Sequence, residues 1–264
     1  MPNRSPPDSK GSKVPEITLV FWIIKIAATT LGETGGDTVS MTMDLGYLAA
    51  TGIFATLLVL LVGWQIAAKR FPPFLYWATI IASTTAGTTM ADFADRSLGI
   101  GYLGGSLLLA SCVIVALAAW YWTLGSVSVR SVRTAPAEFF YWLTITFSQT
   151  LGTALGDWIA DAGLGYEGGA LVFAEALLII VMAYYWTGIS HILLFWLAFI
   201  LTRPLGATLG DLFDKPVLEG GLAFSRPMAS AALAGFILLC LLILPQRPAY
   251  GETKHYTRPL RRGG

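Results

Sequence analysis

Charge is scarce in this sequence. Asp, Glu, Lys and Arg make up 12% of its 264 residues, against about 25% in an ordinary soluble domain. The formal net charge is +1, and no basic face is long enough to track a nucleic-acid backbone, so no nucleic-acid partner is expected. Cysteine is equally thin. Cys112 and Cys240 both fall inside apolar runs, which predicts buried thiols rather than a disulfide, and there is no CxxC or Cys/His cluster for zinc. Of the two histidines, His191 precedes an apolar run and His255 lies in the tail, so neither suggests a metal cluster. Walker, nucleotide-loop and GxSxG motifs are missing, and no nucleophile and base stand at a readable spacing. An enzyme is not expected.

What is abundant is apolar sequence. Hydrophobic residues are 55% of the chain. Residues 107–124 and 170–186 are long, predominantly apolar runs, and a helix needs about 20 such residues to cross a bilayer. The lipid bilayer is therefore the expected surrounding. Residues 1–13 are too polar for a signal peptide and read as a disordered leader.

The phrase LGTALGDWIAD (151–161) recurs as PLGATLGDLFD (204–214), and more loosely as TLGETGGDTVS (30–40) and TAGTTMADFAD (85–95). A tryptophan precedes each at one fixed spacing: Trp22, Gly32 and Asp37; Trp77, Gly87 and Asp92; Trp142, Gly152 and Asp157; Trp196, Gly206 and Asp211. Each copy continues into a second apolar run. The repeat is thus a two-helix unit. The predicted fold is an all-α membrane protein, with eight transmembrane helices forming four parallel two-helix repeats in one bundle. Expected boundaries are 14–71, 72–133, 134–188 and 189–245, followed by a basic tail at 246–264. Pro15, Pro73 and Pro136 suit first helical turns, while the fourth unit starts near Ser190 without one.

Lys69, Arg70, Arg130 and Arg133 lie between units, and Arg247, Lys254, Arg258, Arg261 and Arg262 follow the last. The linkers within units are read as acidic, through Asp44, Asp95, Asp161 and Glu219. The positive-inside rule then puts both termini on the cytoplasmic side of a multi-pass plasma-membrane protein. YW, WYW and YYW groups at helix ends read as interfacial belts.

On a helical wheel the motif helices carry two adjacent stripes. One holds small residues every fourth position, including Gly32 and Gly36, Gly87, Gly152 and Gly156, and Gly206 and Gly210. That pattern lets membrane helices approach closely. The other stripe is polar: Lys25, Thr29, Glu33, Asp37; Thr84, Thr88, Asp92; Gln149, Thr153, Asp157; and Arg203, Asp211, with Ala207 interrupting. It is expected to face the bundle interior, with the aspartates near the outer end and Thr29, Thr84, Gln149 and Arg203 near mid-depth. A plainer reading makes each aspartate a surface cap, as Asp95, Asp161 and Asp214 are read to be. Glu33, Lys25 and Arg203 lie deeper, where a charge costs at least about 2.5 kcal/mol and is rarely idle. Glu175, in the middle of the sixth helix, is either a proton site or a partner for a neighbouring helix.

Glu33, Asp37, Asp92, Asp157 and Asp211 outnumber Lys25 and Arg203 in these stripes. Hard carboxylate and hydroxyl oxygens suit Mn²⁺, Mg²⁺ or Ca²⁺, and carboxylates also carry protons. The expected function is a secondary transporter exporting a divalent cation, Mn²⁺ foremost, against protons. A cation channel, or a membrane anchor or regulator in which the motif only packs helices, remains open, as does homo-oligomerisation.

Four tandem two-helix units with the GxxxxGD-like phrase, from Val14 to Leu244, resemble a bacterial membrane-protein family named only as a repeat of unknown function. The resemblance implies the eight-helix layout and no chemistry. GETGGDTVS (32–40) is similar to the ExGD signature of a calcium/manganese transporter family, which implies Glu33 and Asp37 as cation ligands.

Overall fold

Eight α-helices follow one another in the computed structural model, which describes residues 11–250. They are α1 (Leu19–Asp37), α2 (Gly46–Ala67), α3 (Pro73–Asp92), α4 (Tyr102–Leu124), α5 (Ala135–Ile159), α6 (Gly165–Trp186), α7 (His191–Asp214) and α8 (Arg226–Ile243). No strand occurs among the described residues beyond one isolated bridge between Pro15 and Pro248. Local chemistry sets the helix starts. Thr18 and Thr134 accept from Phe21 N and Ala137 N to cap α1 and α5, and Pro73 and Pro136 occupy the first turns of α3 and α5. In the first three units the motif helix runs into one turn of π-helix: Thr38–Thr42, Phe93–Ser97 and Ala160–Leu164. Unit four has none. There α7 stops at Lys215, and the linker folds back so that Leu222 N and Phe224 N donate to Leu212 O and Phe213 O.

α1, α3, α5 and α7 pack pairwise into a closed inner ring. Each second helix covers the first helix of the next unit: α2 lies on α3, α4 on α5, α6 on α7, and α8 closes the circle on α1. The small-residue stripe explains how the ring can be so tight. A Cβ on Gly87 would stand 2.9 Å from the backbone of Gln149 and Thr150. Gly32 likewise meets Thr84, Gly152 meets Arg203, and Gly206 meets Thr29, so the same glycine receives the same stripe position four times around. One turn on, Gly36 meets Thr88, Gly156 meets Ala207, and Gly210 meets Glu33. These are van der Waals contacts of the kind that hold membrane helices together.

Polarity is inside out. The inner ring buries its threonines and charged groups, whereas α2 buries only Ala50, Leu58 and Gln65, and α8 only Ile237 and Cys240. Leu60, Trp64, Leu107, Ile114, Ile179 and Leu242 are among the large apolar side chains left outside. Five helical stretches are long and apolar enough to cross a membrane: Gly46–Ala67, Tyr102–Leu124, Ala135–Trp186, His191–Asp214 and Arg226–Ile243. The third joins α5 to α6 through a π-helical turn. Together with the apolar exterior, they suggest membrane insertion.

Two expectations need correction. Several belt aromatics are interior: Trp77, Trp120, Tyr76 and Tyr141 are fully buried and pack with Trp142, Trp196 and Phe199 into a plug near the N-terminal ends of the ring helices, where the Tyr76 and Tyr141 hydroxyls pair at 2.5 Å. Only the outward members, such as Trp122 and Trp186, are exposed. Second, most of the expected leader and tail lies outside the described residues, but the parts nearest the bundle are docked. Ser12 is buried and donates to Val129 O, Ser12 N donates to Ala249 O, and Lys13 pairs with Glu138 at 2.6 Å while donating to Gln65 O and Ile66 O.

Candidate carboxylate site

The four repeated aspartates converge because each closes the last turns of a ring helix. Asp37, Asp92, Asp157 and Asp211 are at most 5% exposed. Glu33 reaches them from one turn deeper on α1. Carboxylate oxygens of Glu33, Asp157 and Asp211 lie within 4.8 Å of one another, as do those of Asp37, Asp211 and Asp214. Asp214 is thus buried in the cluster and not a surface cap, because α7 continues one further turn in place of the π-helical turn of the other units.

Three bases that the sequence reading left out sit among these acids. Arg96 bridges Asp92 (2.9 Å) and Asp157 (3.8 Å). Lys215 Nζ lies 2.6 Å from Asp37 Oδ2 and 3.0 Å from Asp211 Oδ1. Arg226, at the start of α8, faces Asp214 at 3.3 Å and Asp37 at 3.8 Å. Burial works against the charge of Lys215, but Asp211, Asp37 and Asp214 outweigh it and hold its pKa above the ordinary lysine range. A signal for two of the bases existed in the sequence, since Arg96 and Lys215 stand four residues after Asp92 and Asp211, the spacing that brings helical side chains together. Arg226 is delivered by tertiary closure and has no such signature.

Below the carboxylates, Arg203 ties the ring together. Its guanidinium leaves α7 to meet Glu33 Oε2 on α1 at 2.9 Å, Thr88 Oγ1 on α3 at 2.5 Å and Thr153 Oγ1 on α5 at 2.5 Å, and it points NH1 at Thr29 O. All four inner helices meet at this one group. The pair is also a matched departure from the repeat: unit four has Arg203 and Ala207 where unit one has Thr29 and Glu33. Six carboxylates, Glu33, Asp37, Asp92, Asp157, Asp211 and Asp214, therefore face five bases: Lys25, Arg203 and Lys215 are buried, Arg226 is partly buried, and Arg96 is exposed at the rim. The large negative excess expected from the stripes is mostly neutralised from the linkers.

The other stripe residues are interior too. Lys25, Thr29, Thr84, Thr88, Gln149 and Thr153 are fully buried. Lys25 Nζ is 3.5 Å from Gln149 Oε1 and 4.2 Å from the centre of the Phe199 ring. Glu175 is set apart: it is exposed on the outer face of α6 and takes no part in the ring's polar network.

A helical protein with an apolar exterior, an internal four-fold repeat and a polar interior is the class these features define. The family description Repeat of Unknown Function (DUF347) matches residues 20–71, 75–126, 140–190 and 194–246, and the chain belongs to that family. No curated protein and no solved structure matches it.

Proposed function

We propose that the protein is a secondary transporter that exports a divalent cation, Mn²⁺ foremost with Mg²⁺ and Ca²⁺ as the alternatives, in exchange for protons. In this reading all eight helices cross a bacterial inner membrane as four parallel units, both termini are cytoplasmic, and the carboxylate end of the ring faces outward. The observation that carries it is the convergence of Asp37, Asp157 and Asp211 with Glu33 and Asp214 in one buried cluster, with the fourth repeat aspartate, Asp92, joined to Asp157 through Arg96. Oxygens within 4.8 Å of one another suit these ions, whose metal–oxygen bonds run about 2.0–2.6 Å. A divalent cation entering the Asp37, Asp211 and Asp214 triad would replace the Lys215 ammonium, so loading would change the cluster's charge by one positive unit instead of two. The similarity of residues 32–40 to the ExGD signature supports the same role for Glu33 and Asp37. Arg203, tied across the ring axis to three neighbouring helices, weighs against a continuous channel.

Mn²⁺ binding to the purified chain, followed by flux in proteoliposomes, tests the reading against a variant with Asp37, Asp92, Asp157 and Asp211 changed to Asn. Selective binding and flux that vanish in the variant support transport. Flux that persists in the variant sinks it. The anchor or regulator reading has its own support in the ion pairs from Arg96, Lys215 and Arg226, which make the cluster a clamp between helices and linkers. It predicts that the Asn variant loses stability with no ion effect in either protein.

A further inference from the structure

Among the described residues, every base in the ring and at its carboxylate end has a carboxylate partner except one. Arg203 pairs with Glu33, Arg96 with Asp92, Lys215 with Asp37 and Arg226 with Asp214. Lys25 is 0% exposed and has no ion pair among the described residues; its ammonium finds one carbonyl oxygen at 3.5 Å and the face of Phe199. An ammonium carries three donors, so at least two are unused. The positions equivalent to Lys25 in the other units are Ile80, Ile145 and Phe199, all 0% exposed, which denies it any polar neighbour in its own layer.

The layer directly above is rich in donors that also lack acceptors. Gln149 Nε2, Thr84 Oγ1 and Arg203 Nε are buried without a hydrogen-bond partner, although their residues are 0% exposed. Thr84, Gln149 and Arg203 hold equivalent stripe positions and pack on Gly32, Gly87 and Gly152 of the preceding helix, so they share one level of the ring. Gln149 is also the residue that Lys25 reaches. Unmet donors at this level, with an ammonium that lacks a counter-ion reaching Gln149 from the layer below, call for an acceptor that is itself negative. Water could satisfy hydrogen bonds, but it would leave the charge uncompensated, which costs several kcal/mol in a low-dielectric interior. The ring helices approach closely at this level, which favours a monatomic ion over an oxyanion or a carboxylate ligand.

We infer that the ring holds a halide site, chloride by abundance, formed by Lys25 Nζ and Gln149 Nε2 with Thr84 and Arg203 at the same level, separate from the carboxylate cluster. The site is a binding function of the chain whether or not a cation is transported. The test is the thermal midpoint of the full-length protein in detergent, in NaCl, NaBr or sodium gluconate of equal ionic strength, for the native chain and for Lys25→Met. The native protein is expected to gain a midpoint rise that saturates with chloride or bromide. Lys25→Met should melt at one temperature in all three salts, and no lower than the native chain in gluconate, because it no longer buries an unpaired charge. Identical melting of the native protein in halide and gluconate overturns the inference, as does a saturable halide effect that survives in Lys25→Met. If Lys25→Met does not fold, bromide-soaked crystals of the native chain decide. An anomalous peak beside Lys25 Nζ supports the site, and its absence there removes it.

Discussion

The Arg203–Glu33 pair makes the most exposed quantitative claim. Both side chains are buried, the guanidinium carries four interactions, and each partner is what the other lacks elsewhere in the ring. Unit three holds Gln149 and Thr153 at the matching stripe positions, so Arg203→Gln with Glu33→Thr puts in residues the ring already uses at these two levels. Removing one partner of a buried pair costs about 3–5 kcal/mol, because the other charge is left stranded. Arg203→Gln should reach the top of that range, since Glu33 then sits uncompensated within 4.8 Å of Asp157 and Asp211. Glu33→Thr should cost less, because it also removes a negative charge from that crowd. The double variant should recover about 2–3 kcal/mol relative to the sum of the singles, the coupling expected of residues in direct contact. Denaturation in mixed micelles, followed through the buried tryptophans of the aromatic plug, reads all three. An Arg203→Gln loss below about 1 kcal/mol, or strictly additive singles, would refute the account of the pair as the ring's electrostatic node.

Other consequences are simpler to measure. Gly87→Ala must push two backbones apart and should cost about 1–3 kcal/mol, whereas Gly52→Ala on the open face of α2, with nothing within 4 Å, should be neutral or gain up to about 1 kcal/mol in the same assay. Lys215→Met should tighten Mn²⁺ binding about tenfold or more, equivalent to about 1.4 kcal/mol, as measured by calorimetry; unchanged or weaker binding would remove Lys215 as the competing cation. The raised pKa of Lys215 has a definite sign: its stabilisation is complete below the ordinary lysine value and is lost only as pH climbs past the raised one. Lys13→Met strands the buried Glu138 and uncaps two carbonyls at the end of α2, so it should cost about 1–3 kcal/mol and speed amide exchange around residues 12–16.

The inner ring was legible from the sequence because its two signals are periodic. A small residue every fourth position, centred on a glycine, recurs in all four units, its polar neighbour one position on is broken only at Ala207, and a helix converts that spacing directly into faces. What the spacing does not encode is which helix meets which. Nothing in the residues of α2 says that it covers α3 rather than its own α1, since an all-round apolar helix fits either groove. The carboxylate cluster was half legible for a similar reason. The aspartates repeat, but their bases come singly from Phe93–Ser97, from the end of α7 and from the start of α8, where each unit differs. The aromatic groups misled because bilayer interfaces and buried plugs select the same side chains, and only packing separates Trp77 from Trp122.

The wrap of α8 onto α1 has a consequence for the chain's connectivity. With Pro15 bridged to Pro248, the two ends of the described chain lie side by side, and no helix of the inner ring is an edge. Where the polypeptide is cut is then structurally arbitrary. A circular permutant opened at Gly188, in the exposed linker before α7, and joined across residues 11 and 250 would keep every pair of neighbours in the ring. Deleting a unit is a different operation, because it takes away one wall of the ring and, with it, the cover over the wall that follows.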